Sequence, residues 1–187
     1  EDIEKMFFQK GTVIWLTGLP CSGKTTIATR LQGLLIRMNR AAYVLDGDKI
    51  RKGLNSDLGF SKEGRIENIR RIGEVAKLFA DTGFIIIVAF ISPFRQGRNQ
   101  IRSYLPIGQF IEVYLDCPIE ECEKRDVKGH YKQARNGKIA EFTGVSSPYE
   151  PPLKPELQLK TNIQSLVDCA DEIIDYLIKL ERIPKEL

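Results

Sequence analysis

The sequence predicts an α/β protein, a three-layer sandwich with a central parallel sheet between helices. Two observations carry that expectation. Short apolar runs alternate along the chain with stretches of helical spacing, and the run at residues 84–91 (FIIIVAFI) is apolar on both faces, as a central strand covered by helices requires. Taken in order, Thr12–Thr17 (TVIWLT) is partly β-branched and stops at Gly18, and residues 24–38 are compatible with a helix. The AYVLD run, Ala42–Asp46, reads as a second strand that ends in an acidic turn, Asp46-Gly47-Asp48. From 61 to 81, Ile66, Ile69, Ile72, Val75, Ala76, Leu78 and Phe79 recur at steps of three and four, which is a helix ended by Gly83. The 84–91 strand stops at Ser92-Pro93; a polar helix near 95–104, a strand at 110–116 and a short helix begun by Pro118 continue the alternation. Between 126 and 155 the periodicity fails, and basic residues, glycines and the prolines 148, 151, 152 and 155 take over. This predicts a basic lid at about 126–150 followed by a connector, since long irregular segments in compact domains tend to be functional. Ser165 with Asp168 resembles an N-cap pair, and Leu166, Ala170, Ile173, Ile174, Leu177 and Ile178 give the closing helix its apolar face.

The chain has 187 residues, enough for one domain, here taken as 1–187, and a start at Glu1 fits a piece of a longer polypeptide. Its 42% hydrophobic content is ordinary, and the apolar run at 84–91 is far short of a membrane span. No signal peptide is visible, so the cytosol is the expected compartment. Cys21, Cys117, Cys122 and Cys169 show no two-residue spacing, which predicts reduced, structural thiols. A net charge of +3 does not suggest long nucleic acid as a partner. Lys124, Arg125, Lys128, Lys132, Arg135 and Lys138 nevertheless crowd one stretch that could grip a small polyanion, and a single histidine, His130, excludes mechanisms needing several.

Residues 18–25, GLPCSGKT, satisfy GxxxxGK[ST] in the setting the motif needs, with a strand entering and a helix leaving. That arrangement aims successive backbone N–H groups and a helix N-terminus at phosphate oxygens. It makes Gly18, Leu19, Pro20, Cys21, Ser22, Gly23, Lys24, Thr25 and Thr26 the expected ATP-binding segment of a P-loop NTPase fold. Gly18 and Gly23 allow close approach, Lys24 supplies charge to the β- and γ-phosphates, and the Thr25 hydroxyl is placed for Mg²⁺. No guanine-reading NKxD is present, and motor ATPases need more chain, so a small-molecule kinase is expected by analogy of fold. One carboxylate of the Asp46-Gly47-Asp48 turn could accept a hydroxyl proton and the other help hold the metal; a turn pair capping the next helix is the plainer alternative. Arg51, three residues beyond Asp48, shares its side of a helical turn, and Arg65 and Asn68 repeat that spacing, offering a cation and an amide to an anionic acceptor.

The strings GLPCSGKTT from Gly18, LDGDKIRKGLNSDLGF ending at Phe60, RIENIRRIGEVAKLFADTG from Arg65, FISPFR from Phe90, DVKGHYKQAR from Asp126 and FTGVSSPYEPP from Phe142 together resemble the adenylyl-sulfate kinase (APS kinase) family, from about Gly11 to Tyr176. The resemblance implies transfer of the γ-phosphoryl group of Mg-ATP to the ribose 3′-hydroxyl of adenylyl sulfate. By it, Asp48 orients or deprotonates that hydroxyl, Asp46 acts with Thr25 at the metal, and Arg51, Arg65 and Asn68 hold the phosphosulfate. Phe60 and Phe142 sandwich the substrate adenine, Lys128 neutralises charge as the lid closes, and Arg125 holds the ATP side. It also implies a phosphoserine at Ser92 as one route. Direct in-line transfer needs none, and Ser92 before a proline is equally explained as a turn that places a backbone amide and Ile91 near the substrate. Lys49, Lys52, Gly64 and His130 depart from the family's usual residues without removing a proposed catalytic group. A homodimer, and fusion to or cooperation with an ATP sulfurylase, are family expectations. Two other functions compete: a kinase for a sugar acid or nucleoside, and a regulatory domain that binds phosphoadenylyl sulfate without turnover.

Overall fold

The computed structural model describes residues 2–185. Five strands, β1 (Thr12–Thr17), β2 (Ala42–Asp46), β3 (Ile85–Ala89), β4 (Phe110–Asp116) and β5 (Leu157–Lys160), form one parallel sheet in the order β2-β3-β1-β4-β5. Eight helices accompany them among the described residues: α1 (Asp2–Phe7), α2 (Lys24–Arg37), α3 (Gly47–Arg51), α4 (Lys62–Asp81), α5 (Arg95–Ser103), α6 (Ile119–Lys124), α7 (His130–Arg135) and α8 (Leu166–Lys179).

Every residue of β1 and β3 is buried, and their side chains alternate between two cores as the strand period dictates. Ile14, Leu16, Ile85 and Ile87 pack with Ile27 and Leu31 of α2 and Ile173 and Leu177 of α8. Val13, Trp15, Ile86 and Val88 pack with Ile69 and Ile72 of α4 and Ile101 of α5. The three layers expected from the apolar pattern are therefore present, with loops from the carboxyl ends of β1, β2, β3 and β4 gathered on one edge. No helix among the described residues is long and apolar enough to cross a membrane, and all four cysteines are free thiols.

Local signals place most boundaries. Ser61 accepts a hydrogen bond from the Gly64 amide to start α4, and Ser165 and Asp168 form the reciprocal capping box of α8. The apolar face read for α4 is too wide: Leu78 and Phe79 are exposed, and Phe79 packs edge-on against Phe84 instead of the sheet. Three short elements, α1, α7 and β5, stand where no regular structure is legible in the sequence, while α3 is the helical turn expected after the acidic pair. The predicted lid contains α7 and one isolated bridge, Thr143 to Ser147.

Candidate active site

The phosphate-binding loop joins β1 to α2. A Cβ at Gly18 would lie 2.8 Å from both the Leu115 carbonyl oxygen and Ser22 Oγ, so no side chain fits there. Gly23, the N-cap of α2, has φ 103°, a conformation glycine adopts without steric cost. Lys24 is buried and folds back into the loop, its Nζ donating to the carbonyls of Gly18 (2.9 Å) and Leu19 (2.6 Å) and to Ser22 Oγ (3.3 Å). Burial pulls its pKa down from 10.5 to about 8. Cys21 is half-buried at φ 61°, and burial pushes its thiol pKa up. The loop is braced from outside: the Tyr131 hydroxyl of α7 donates to the Pro20 carbonyl (3.0 Å), and the Thr161 hydroxyl beyond β5 donates to the Ser22 carbonyl (2.9 Å). Thr25 and Thr26 are exposed on the first turn of α2. Arg125 holds that same support, donating to the Thr161 carbonyl (2.8 Å) and to Glu121 (3.3 Å).

The Thr25 hydroxyl donates to Asp46 Oδ2 at 2.9 Å, so the two residues read as metal ligands are in contact. Asp46 Oδ1 also caps α3, accepting from the amides of Asp48 (3.0 Å) and Lys49 (3.3 Å). The plainer alternative for the acidic turn thus holds for Asp46, alongside its contact with Thr25. Asp48 is different. Its side chain is 81% exposed and faces Lys128 Nζ at 3.5 Å. That contact brings the lid cation to the carboxylate read as the base. A hydroxyl and a carboxylate are hard oxygen donors and fit Mg²⁺, which takes few protein ligands and completes its shell with phosphates and water.

Opposite the loop, Phe60 is exposed and flanked by two guanidinium groups, Arg51 at 4.3 Å and Arg65 at 5.5 Å from the ring centroid. Arg51 donates to the carbonyls of Leu58 (3.0 Å) and Gly59 (3.3 Å). Arg65, buried, donates from Nε to the Phe60 carbonyl (2.9 Å) and from Nη2 to the Glu141 carbonyl (2.6 Å). Burial and then the charge of Arg51 hold the Arg65 pKa below its usual value, and burial also lowers that of Arg51. Neither guanidinium has a carboxylate salt-bridge partner among the described residues, although Asp48 and Glu141 act on them from further off, so the pair can attract an anion. Phe142 follows Glu141 directly and packs edge-on against Tyr131 at 4.9 Å, so Arg65 links the backbone of Phe60 to that of the residue before Phe142. Asn68 is buried one turn further along α4, and its Oδ1 accepts from Asn55 Nδ2 (2.9 Å).

Ser92 is only 2% exposed, at φ 41°. Its hydroxyl accepts from the Trp15 indole (3.0 Å) and donates to Thr17 Oγ1 (2.9 Å), while Thr17 donates to the carbonyl of the half-buried Ile91 (2.8 Å). A network with no signal in the sequence surrounds this turn. The buried Arg98 donates to Glu112 (2.7 Å), to the Ser92 carbonyl (2.6 Å) and to the Glu150 carbonyl at the end of the lid (2.7 Å), and the Tyr149 hydroxyl meets Thr17 Oγ1 at 3.0 Å. The basic stretch is less of a patch than its composition suggests. Lys124 pairs with Glu121 and Arg135 with Glu123, which leaves Lys128 as the cation that reaches the acidic turn.

The profile of a family described as adenylylsulphate kinase matches residues 10–160. An adenylyl-sulfate kinase of Clostridium acetobutylicum is 58% identical over 93% of this chain and 86% of its own length. A probable adenylyl-sulfate kinase of Bacillus subtilis is 52% identical over 94% of this chain and 88% of its own. The Mycobacterium tuberculosis APS kinase CysC, solved in complex with AMPPNP and APS, superposes with a TM-score of 0.86 at 43% identity, covering 90% of this chain and 98% of that one. With its phosphate-binding loop, its acidic turn and a match over most of its length, the chain belongs to the adenylylsulphate kinase family.

Proposed function

We infer that this chain transfers the γ-phosphoryl group of ATP to the ribose 3′-hydroxyl of adenylyl sulfate, giving 3′-phosphoadenylyl sulfate and ADP. The observation that carries the acceptor is the paired guanidinium groups of Arg51 and Arg65 against Phe60, an anionic and aromatic recognition set on the same sheet edge as the phosphate-binding loop. In this reading the loop amides and Lys24 hold the donor phosphates, replacing the carbonyl contacts the ammonium makes now. Phe60 and Phe142 take the adenine between them, while Arg51, Arg65 and Asn68 take the phosphosulfate. Asp48 accepts the 3′-hydroxyl proton as that oxygen bonds to the γ-phosphorus, and the bond to the β-phosphate oxygen breaks with its electron pair leaving on ADP. Thr25 and Asp46 would hold Mg²⁺, which would supply charge neutralisation on the phosphates. Lys128 adds a positive charge from the lid side. Ile91 and Ser92 shape the acceptor wall. Direct transfer, without a phosphoserine, is supported by a Ser92 hydroxyl that is buried and already bonded on both sides.

A homodimer in the cytosol, alone or joined to an ATP sulfurylase, is the assembly proposed for it, and sedimentation of the purified chain tests the dimer. The reaction is tested by following label from γ-labelled ATP into 3′-phosphoadenylyl sulfate. Asp48→Ala is expected to lower turnover about 10²–10⁴-fold, the usual worth of a positioned base. Product from the wild-type chain separates this reading from a sensing domain, and its absence removes the reading; intact turnover in Asp48→Ala removes Asp48 as the base and leaves the reaction.

A further inference from the structure

Asn55 lies between α3 and α4 with its side chain fully buried. Its Nδ2 faces two acceptors of one residue, the Asn68 backbone oxygen (3.4 Å) and Asn68 Oδ1 (2.9 Å). The backbone oxygen is an acceptor in every state of the protein, so the part of the Asn55 amide turned toward it has to be the nitrogen. The same nitrogen then meets the Asn68 side chain, which has to present its oxygen. Chemistry alone, without appeal to how either amide was oriented, therefore turns Asn68 Nδ2 away from Asn55, and no partner for that nitrogen occurs among the described residues. A second observation points the same way. Asn55 Oδ1 is buried with no hydrogen-bond partner. An orphaned buried oxygen is costly, and an apolar residue of similar size would avoid it, so the amide at position 55 is held for its nitrogen.

We propose that Asn55 is a positioning residue that fixes the Asn68 amide with its donor face toward the acceptor site, so that the site shows the substrate N–H groups and no carbonyl lone pair. Together with Arg65 one turn earlier on α4, this makes that wall of the site donor-only, suited to phosphosulfate or ribose oxygens. The inference rests on Asn68 facing the substrate, as in the proposed function.

The test is steady-state kinetics with ATP and adenylyl sulfate varied separately. Asn55→Ala frees the Asn68 amide to rotate and is expected to raise KM for adenylyl sulfate about 10- to 150-fold, the loss expected for one hydrogen bond to a charged group, with KM for ATP unchanged. Asn55→Asp is expected to cost more, because its carboxylate recruits the Asn68 nitrogen and turns the oxygen toward the substrate. Asn55→Ala added to Asn68→Ala should change nothing further, since Asn55 acts only through Asn68. The proposal is overturned if Asn55→Ala lowers thermal stability yet leaves KM for adenylyl sulfate unchanged, or if its effect persists in the Asn68→Ala background. An Asn68→Ala enzyme with an unchanged KM for adenylyl sulfate would instead remove Asn68 from the substrate site, and the proposal with it. Should Asn55→Asp fail to fold, side-chain amide NMR of the wild-type chain decides: adenylyl sulfate should shift the Asn68 NH₂ signals, while the Asn55 NH₂ stays slow to exchange and unshifted. Equal shifts at both amides count against it.

Discussion

Replacing Ser92 by Ala separates the two routes for the phosphoryl group. The serine hydroxyl is the hydrogen-bond partner of the Trp15 indole, and Trp15 is entirely buried. Removing it orphans one buried N–H, which costs about 1–3 kcal/mol. Thr17 loses the Ser92 hydroxyl but keeps the Ile91 carbonyl and the Tyr149 hydroxyl, so no second group is stranded. Alanine meets much the same backbone strain as serine at φ 41°, so that contribution nearly cancels. A loss of about 2 kcal/mol in a chain of this size lowers Tm by about 4–8 °C. Thermal melts and initial rates, corrected for the folded fraction, should show that drop with kcat within about tenfold of wild type, as expected of a residue that shapes a turn and carries no group. A collapse of kcat with an unchanged Tm would refute the argument, as would label from ATP that appears on Ser92 and passes into product at the rate of turnover.

Two further outcomes follow from buried charges. Lys24 titrates near 8 in the folded chain against 10.5 when unfolded, so between those values the unfolded chain holds the proton and the native one does not. Stability should therefore rise with pH from about 8 to about 10.5. ATP favours the charged lysine, so affinity should be full below about pH 8 and weaken above it, as calorimetric titration across that range will show. Arg98→Met strands Glu112, which is 4% exposed and keeps only Arg102, and should cost about 3–5 kcal/mol in urea unfolding. Arg98→Met with Glu112→Gln should recover part of that loss.

How much was legible depended on length and period. GLPCSGKT could be placed because its chemistry is fixed within eight residues, and α4 and α8 because they run for about four turns or more with caps at their starts. Short elements give no such signal. In α7 only Tyr131 and Ala134 are buried, and in β5 only Leu159, so neither repeats a pattern long enough to read. Asp46 was legible as an acidic turn, but its double duty as a helix cap and partner of Thr25 depends on β2 ending beside α2. Arg98, Tyr149 and Asn55 act through contacts 50 or more residues away or through a buried amide, and spacing carries no trace of either.

A guanidinium has five N–H donors, and Arg65 spends one on the Phe60 carbonyl and one on that of Glu141. The remaining three are enough for an anionic ligand. On the proposed reading of Arg65, holding the Glu141 carbonyl and gripping the acceptor are therefore not rival uses of one charge. A lysine at 65 would bring three donors from a single nitrogen, too few directions to serve a lid, an aromatic wall and a ligand at once.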